Sequence, residues 1–321
     1  MGWDKGDGEM KLFFSYISKV LIILVVLNYG LEPILDHGLN SLEGSVYNEW
    51  NKIVNGNVNA DIIVMGSSRG VVGYNSAIIE DTLGFSCFNL SFDAGPHNLQ
   101  YAKLNSYLKE NKMPQIIIQN IDIAHFSKIN VIPFEKQLIT TINSSHIQNV
   151  YDEIPGTLQK FKYKGVSKFS VDTRLIKLSL SNLIGLDPQY SSKIKGYKGI
   201  EKSFELDKSN LLRLESLNLE NKLEGIHHTF DFYNQKCFEN TIIYFVWAPE
   251  LNVRRDLKRD VINDCVAIIE KKTLINSNMH FIDLRDDIIG DDSKYFYDSF
   301  HLNASGSEWF SRKLVSLIKQ D

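Results

Sequence analysis

Four residues of this chain could carry out acyl-transfer chemistry. Ser67 and Ser68 end an apolar run, and Asp298 and His301 stand three apart about 230 residues later. A serine hydroxyl is a weak nucleophile until a neighbouring base takes its proton, and imidazole is the commonest such base. A carboxylate on the far side of the imidazole fixes its tautomer, so the three side chains together suffice for an acyl-enzyme mechanism. Asp61 to Gly70 reads DIIVMGSSRG, a β-branched run that stops at Gly66 and delivers the serines to a turn. Such a strand end is a usual seat for a nucleophile. Tyr297 to Asn303 reads YDSFHLN and precedes a helix expected over Ser305 to Ile318, with Ser305 and Glu308 at capping-box spacing.

The two ends meet only if the intervening elements build one fold. Strands are expected over Ala60–Met65, Ser86–Leu90, Gln115–Gln119, Thr241–Trp247 and Met279–Leu284, and helices over Tyr74–Leu83, Asn98–Glu110 and Asp256–Ile275. Strands alternating with helices imply parallel pairing and an α/β sandwich whose ligands sit outside the carboxyl ends of the strands. Gly66 lies at such an end. From about residue 125 to 230 the alternation fails in a stretch rich in Ser, Asn, Lys and Tyr. It reads as a largely helical insertion, either a lid beside the active-site face or a surface subdomain without a substrate role. His227 and His228 are adjacent, so in an extended segment they point to opposite faces and do not read as metal ligands. Arg69 reads as a structural salt-bridge or turn residue, with binding of an anionic polymer as the lesser alternative, and His97 and Asn98 read as caps of the helix that follows them or as residues of the pocket rim.

Leu12 to Leu31 is almost wholly apolar, interrupted mainly by Lys19 and Asn28, and matches the ~20 residues needed to cross a bilayer core. No small-x-small cleavage site follows it, which favours an uncleaved signal anchor over a signal peptide. The competing reading is a buried helix of a soluble domain. Lys5, Lys11 and Lys19 stand on the N-terminal side and Glu32, Asp36 and Glu43 after it. That bias puts the N-terminus inside and the catalytic region outside the cytoplasmic membrane, periplasmic or at the cell surface. The expected organisation is a cytoplasmic segment over 1–11, the anchor over 12–31, a linker over 32–59 and an α/β domain over 60–321 with the insertion inside it.

A chain that is 43% hydrophobic and 23% charged is expected to fold, and a net charge of -4 without a Lys/Arg cluster argues against a nucleic-acid partner. Cys87, Cys237 and Cys265 are far apart and form no CxxC motif, so they read as buried packing thiols rather than a zinc site or a disulfide framework. No cofactor and no metal is expected.

Strand-Gly66-Ser67-Ser68, the segment FNLSFDAG at Phe88 to Gly95, and Asp298-x-x-His301 ahead of a helix together resemble the SGNH/GDSL hydrolase superfamily. More narrowly they resemble its membrane-anchored branch, which includes D-alanyl transfer proteins of teichoic acids and alginate O-acetylation proteins. The resemblance spans Ala60 to about Ile123 and Phe238 to Ile318. It implies a flavodoxin-like three-layer α/β/α sandwich with a mainly parallel sheet, Ser68 as nucleophile, His301 as base and Asp298 as its partner. Ser67 takes the place of the family's usual aspartate. The oxyanion donors implied are the Ser68 N–H and a backbone N–H at Ala94 or Gly95, with either the Asn120 side chain as a third or a site that works with two. Asn120 departs from the family's Gly-x-Asn-Asp-like pattern, since Gln119, Asn120, Ile121 and Asp122 stand there. The activity implied is esterase or O-acyltransferase action on acetyl or other acyl esters of a cell-surface polysaccharide or related glycopolymer, with a membrane acyltransferase as a partner. The alternative is a catalytically inactive scaffold or glycan-binding component of a surface-polymer assembly complex.

Overall fold

The structure, a computed structural model, describes residues 4–95, 97–127, 132, 134–145, 147, 165–186, 193–206, 220–257 and 259–320. Its centre is a sheet of five short strands, β1 (Ile62–Met65), β2 (Cys87–Asn89), β3 (Ile116–Ile121), β4 (Ile242–Trp247) and β5 (Met279–Asp283). They are parallel and ordered β2-β1-β3-β4-β5. This is the flavodoxin-like order, and the chain reverses direction across the sheet between β1 and β3.

Alternate strand residues feed opposite faces, as the two-residue period requires. Ile63, Met65, Ile117, Ile121, Ile243 and Phe245 pack on α5 (His97–Glu110), α7 (Glu220–Tyr233) and α9 (Arg259–Leu274). Ile62, Val64, Ile118, Tyr244 and Val246 pack on Ile79 of α4 (Ser76–Leu83) and on Phe310, Leu314 and Ile318 of α10 (Ala304–Ile318). Both faces are therefore covered, which is why these strands read as continuous apolar runs. The chain forms the expected three-layer α/β/α sandwich.

Three boundaries differ from the sequence reading. Residues 32–59, expected as a linker, are largely folded into the domain. The N-terminal helix α1 is unbroken over Asp4–Asn40 and is followed by α2 (Val46–Val54). Leu35, Leu39, Tyr47 and Trp50 join Phe92, Leu99, Phe169 and Leu175 in a third apolar cluster, so burial of these side chains orders the stretch. The insertion ends earlier than residue 230. Ile226, Phe230 and Tyr233 recur at helical spacing and make α7 a layer of the sandwich rather than part of the insertion. Much of the insertion lies outside the described residues. The helix before the C-terminus begins earlier than expected, because Asn303, not Ser305, is its N-cap. Asn303 Oδ1 accepts from Gly306 N–H at 3.0 Å, while Glu308 pairs with Arg312.

The apolar side chains of α1 from Met10 to Leu27 are exposed, and the helix is long and apolar enough to cross a membrane. Where α1 meets the domain, Lys168 is buried between Glu32 and Asp36, at 2.8 and 2.7 Å. Cys87 and Cys265 are buried packing residues, but Cys237 is exposed.

Candidate active site

Ser68 heads the short helix α3 (Ser68–Gly73), directly after β1, with Ser67 at the N-cap in extended backbone. The turn is tight for a steric reason. A Cβ on Gly70 would stand 2.2 Å from Ser91 Oγ, and one on Gly66 would stand 3.0 Å from the Asn120 Cβ and 3.2 Å from the Gly70 Cα. Two glycines therefore let β1, the turn and the end of β2 approach closely enough to hold Ser68 at the carboxyl edge of the sheet.

Asp298 and His301 occupy a small hairpin closed by the Phe296–Leu302 bridge and by Tyr297 N–H donating to His301 O at 3.1 Å. Its base is fastened by Asn303, whose Nδ2 donates to Lys294 O at 2.6 Å while its oxygen caps α10. Within the hairpin Asp298 Oδ1 accepts from the N–H groups of Phe300, at 3.0 Å, and His301, at 2.8 Å. Its other oxygen lies 2.6 Å from His301 Nδ1. His301 Nε2 lies 2.8 Å from Ser68 Oγ. The sequence-distant pairs thus form one hydrogen-bonded series from carboxylate to imidazole to hydroxyl. Burial pushes the Asp298 carboxyl up, but the hydrogen bond and charge of His301 and the two backbone N–H groups outweigh it and hold it below its usual range. Tyr297 stacks on the His301 ring, with centroids 5.1 Å apart and planes 7° from parallel, and the Phe300 ring lies 3.9 Å from it.

The residues expected to donate to an oxyanion separate in space. Ser68 is the first residue of α3, so its N–H has no intrahelical acceptor. Ala94 lines the same cavity as Ser68 and His301, and its N–H has no acceptor among the described residues. It adopts φ 51°, a left-handed conformation that costs a non-glycine residue on the order of 1 kcal/mol. The Gly95 N–H instead donates to Phe92 O at 3.2 Å. Asn120 is 1% exposed and does not line the cavity; its Oδ1 accepts from Tyr74 Oη at 2.9 Å.

The cavity has a volume of about 1300 Å³. Ser68, Ala94, Tyr297 and His301 form its wall on the sheet side. Tyr47 of α2 and residues of the insertion, among them Phe134, Lys136, Gln137 and Leu175, the last from α6 (Arg174–Leu183), also line it. The described part of the insertion therefore borders the cavity that holds Ser68.

Of the roles open to Arg69, the structure shows that of a buried ion-pair residue. Its guanidinium donates to Glu250 Oε1 at 2.8 Å, Ala248 O at 2.8 Å and Pro249 O at 3.1 Å, with Asp122 at 3.6 Å. Burial works against its charge, but Glu250 and Asp122 more than offset that and raise its pKa. His97 and Asn98, expected as caps, are instead the first two residues within α5; Asn98 Oδ1 accepts the Leu99 N–H, and the His97 ring Nδ1 lies 3.2 Å from His125 O. Sequence reasoning missed Glu250, Arg254 of the short helix α8 (Asn252–Arg255), Tyr297 and Phe300. Tyr297 and Phe300 stand inside the YDSFHLN segment and could have been noted there. Glu250 and Arg254 stand at the i,i+4 spacing of an ion pair, but nothing local ties them to the site, because Arg69 of α3 reaches Glu250 only once the sheet has set the carboxyl ends of β1 and β4 on either side of β3.

No protein-family model and no curated protein matches the sequence. Among solved structures, the chain is similar to a family two carbohydrate esterase from Clostridium thermocellum, solved in complex with cellohexaose. The identity is 11% and the TM-score 0.33, over 81% of this chain and 63% of that one. The chain thus matches less than two thirds of the length of that esterase.

Proposed function

We propose that the protein is an extracytoplasmic serine acyl-esterase or O-acyltransferase, held to the membrane by α1 and acting on acyl, foremost acetyl, esters of a cell-surface polysaccharide. The observation that carries this reading is the unbroken series Asp298–His301–Ser68 at the head of a large cavity. In the proposed reaction His301 Nε2 takes the Ser68 proton as Oγ attacks the ester carbonyl, and Asp298 holds the imidazole in the required tautomer. The N–H groups of Ser68 and Ala94 are the proposed oxyanion donors. Collapse of the tetrahedral intermediate breaks the ester C–O bond, and the leaving alcohol takes the proton from His301. Water or a sugar hydroxyl then gives its proton to His301 and attacks the acyl-enzyme, which returns free Ser68 with its hydrogen. Hydrolysis and transfer differ only in that second nucleophile. A cavity of this size, bordered by the insertion, supports a substrate larger than the ester group itself.

The test is turnover of p-nitrophenyl acetate by the full chain in detergent. Ser68→Ala and His301→Ala, at equal folded concentration, are each expected to lower kcat by about 10⁴-fold or more. A parent protein that neither turns over the ester nor forms a Ser68 adduct with a serine-directed phosphonate would instead be a glycan-binding scaffold. The absence of Asn120 from the cavity wall is the observation favouring that second reading.

A further inference from the structure

Between the turn after Ser68 and the hairpin that carries His301 runs a cluster of charges that the proposed reaction does not use. Arg69, Asp122, Glu250 and Arg254 are each no more than 6% exposed. Glu250 is its hub. Oε1 accepts from Arg69 and from Trp247 Nε1, at 2.8 and 3.1 Å, and Oε2 accepts from Arg254 Nε at 3.1 Å. A buried ion network is a poor way to gain stability, because desolvation cancels most of its Coulombic gain and apolar residues of similar volume do as well. What such a network supplies is fixed geometry, and both of its ends touch the site. Arg69 follows Ser68 in the chain. At the other end, the Arg254 guanidinium lies 4.5 Å from the centroid of the Phe300 ring. That ring lies 3.9 Å from the ring of His301, and the Phe300 N–H donates to Asp298. The hairpin that carries Asp298 and His301 is fastened by Asn303 and Tyr295 at its base, whereas toward its tip it leans on Arg254 through Phe300.

We propose that Arg254 is a positioning residue. Held by Glu250 against the face of Phe300, it sets the hairpin tip so that His301 Nε2 stays within hydrogen-bond reach of the Ser68 turn, which Glu250 anchors through Arg69. The proposal rests on the catalytic reading of Ser68 and His301. Both halves of the site are thereby referenced to one carboxylate at the end of β4, although they lie at opposite ends of the chain. Release of the tip shifts the imidazole without removing any reacting group, and a displacement on the order of 1 Å lowers rate by up to about 10²-fold.

Two readouts in the full chain in detergent test this: kcat and KM for p-nitrophenyl acetate, and the low-field proton resonance of His301 Nδ1–H bonded to Asp298. Arg254→Met and Phe300→Leu are each expected to lower kcat about 10- to 100-fold with KM within about two-fold, and to broaden the resonance. Phe300→Tyr, which keeps the ring, should restore both. The double variant should be no worse than the more damaged single variant, because the two side chains act through one contact. Losses that multiply in the double variant, or an Arg254→Met protein with parental kcat and resonance, overturn the proposal. If Arg254→Met fails to fold, Phe300→Leu, which leaves the ion network intact, decides alone by the same two readouts. If the parent turns over no ester, the catalytic reading fails and the resonance alone decides the positioning role: broadening in the variants upholds it and an unchanged signal removes it.

Discussion

At the scale of single residues, the site depends on one carboxylate making three hydrogen bonds. Asp298 accepts from two N–H groups with one oxygen and from His301 Nδ1 with the other, so it shapes the turn and orients the imidazole together. Asp298→Asn should leave the hairpin largely folded, yet reverse the tautomer preference of His301. A loss in kcat of about 10³- to 10⁴-fold is expected, with KM changed far less. Ala94 poses the opposite case. Its φ of 51° suits glycine better than alanine, and only its backbone N–H is used in the proposed reaction. Ala94→Gly is expected to keep turnover within a few-fold of the parent and to stabilise the chain, or leave it unchanged, in a thermal melt, the gain not exceeding about 1 kcal/mol. A large loss of turnover in that variant would show that the methyl group itself matters.

At the scale of elements, β1 is the strand that everything else references. Its carboxyl end carries the Ser68 turn, and Gly70 lies so close to Ser91 that a methyl group has no room. Gly70→Ala should cost about 1–3 kcal/mol in a urea melt and lower turnover beyond the loss of folded protein, since relief of the clash moves the turn. At the amino end, Asp61 ties three strand starts together by accepting from Lys112, Ser86 and Gln115. The Lys112 hydrogen bond, followed by that of Ser86, holds its carboxyl down to about 2. Because the folded value lies below the unfolded one, the stabilisation is present above about pH 4 and is mostly lost as pH falls from about 4 to 2. The side chain is partly solvated, so screening reduces the effect. Asp61→Asn should therefore cost about 1 kcal/mol near pH 7 and only a small part of that near pH 2, as urea melts at the two pH values would reveal.

At the scale of the whole molecule, α1 belongs both to the apolar N-terminal segment and to the folded domain. Leu35 and Leu39 are core residues, and Glu32 and Asp36 are the partners of buried Lys168. A chain beginning at Asn40 strands that lysine without a carboxylate and opens the third apolar cluster. It is expected to lose about 3 kcal/mol or more, whereas a chain beginning at Asn28 keeps all four contacts and should melt near the parent in detergent-free buffer. Equal melting of the two truncated chains would refute this account of α1. The same cluster bears on the insertion, since Phe169 and Leu175 pack on α1 and α2 while neighbouring residues border the cavity. The domain end of α1, the described part of the insertion and the cavity are thus parts of one packed unit.

Much of this was legible in the residues. The five apolar runs and their alternation with helical spacing determine a parallel sheet covered on both faces, because each strand is too apolar to expose either side. Gly66 at the end of the first run and the Asp-x-x-His before the last helix determine which side chains stand at the carboxyl edge. Local pattern carries this much because burial acts on every strand and helix separately. The tertiary structure alone decided that residues 32–59 fold back into a core and that Asn120 pairs with Tyr74 rather than lining the cavity. It also decided that Glu250 and Arg254 come to lie between the Ser68 turn and the His301 hairpin. Those outcomes depend on contacts between residues up to about 180 positions apart, and the energy of such a contact is written in neither partner's local sequence. It exists only once the sheet has brought the two together.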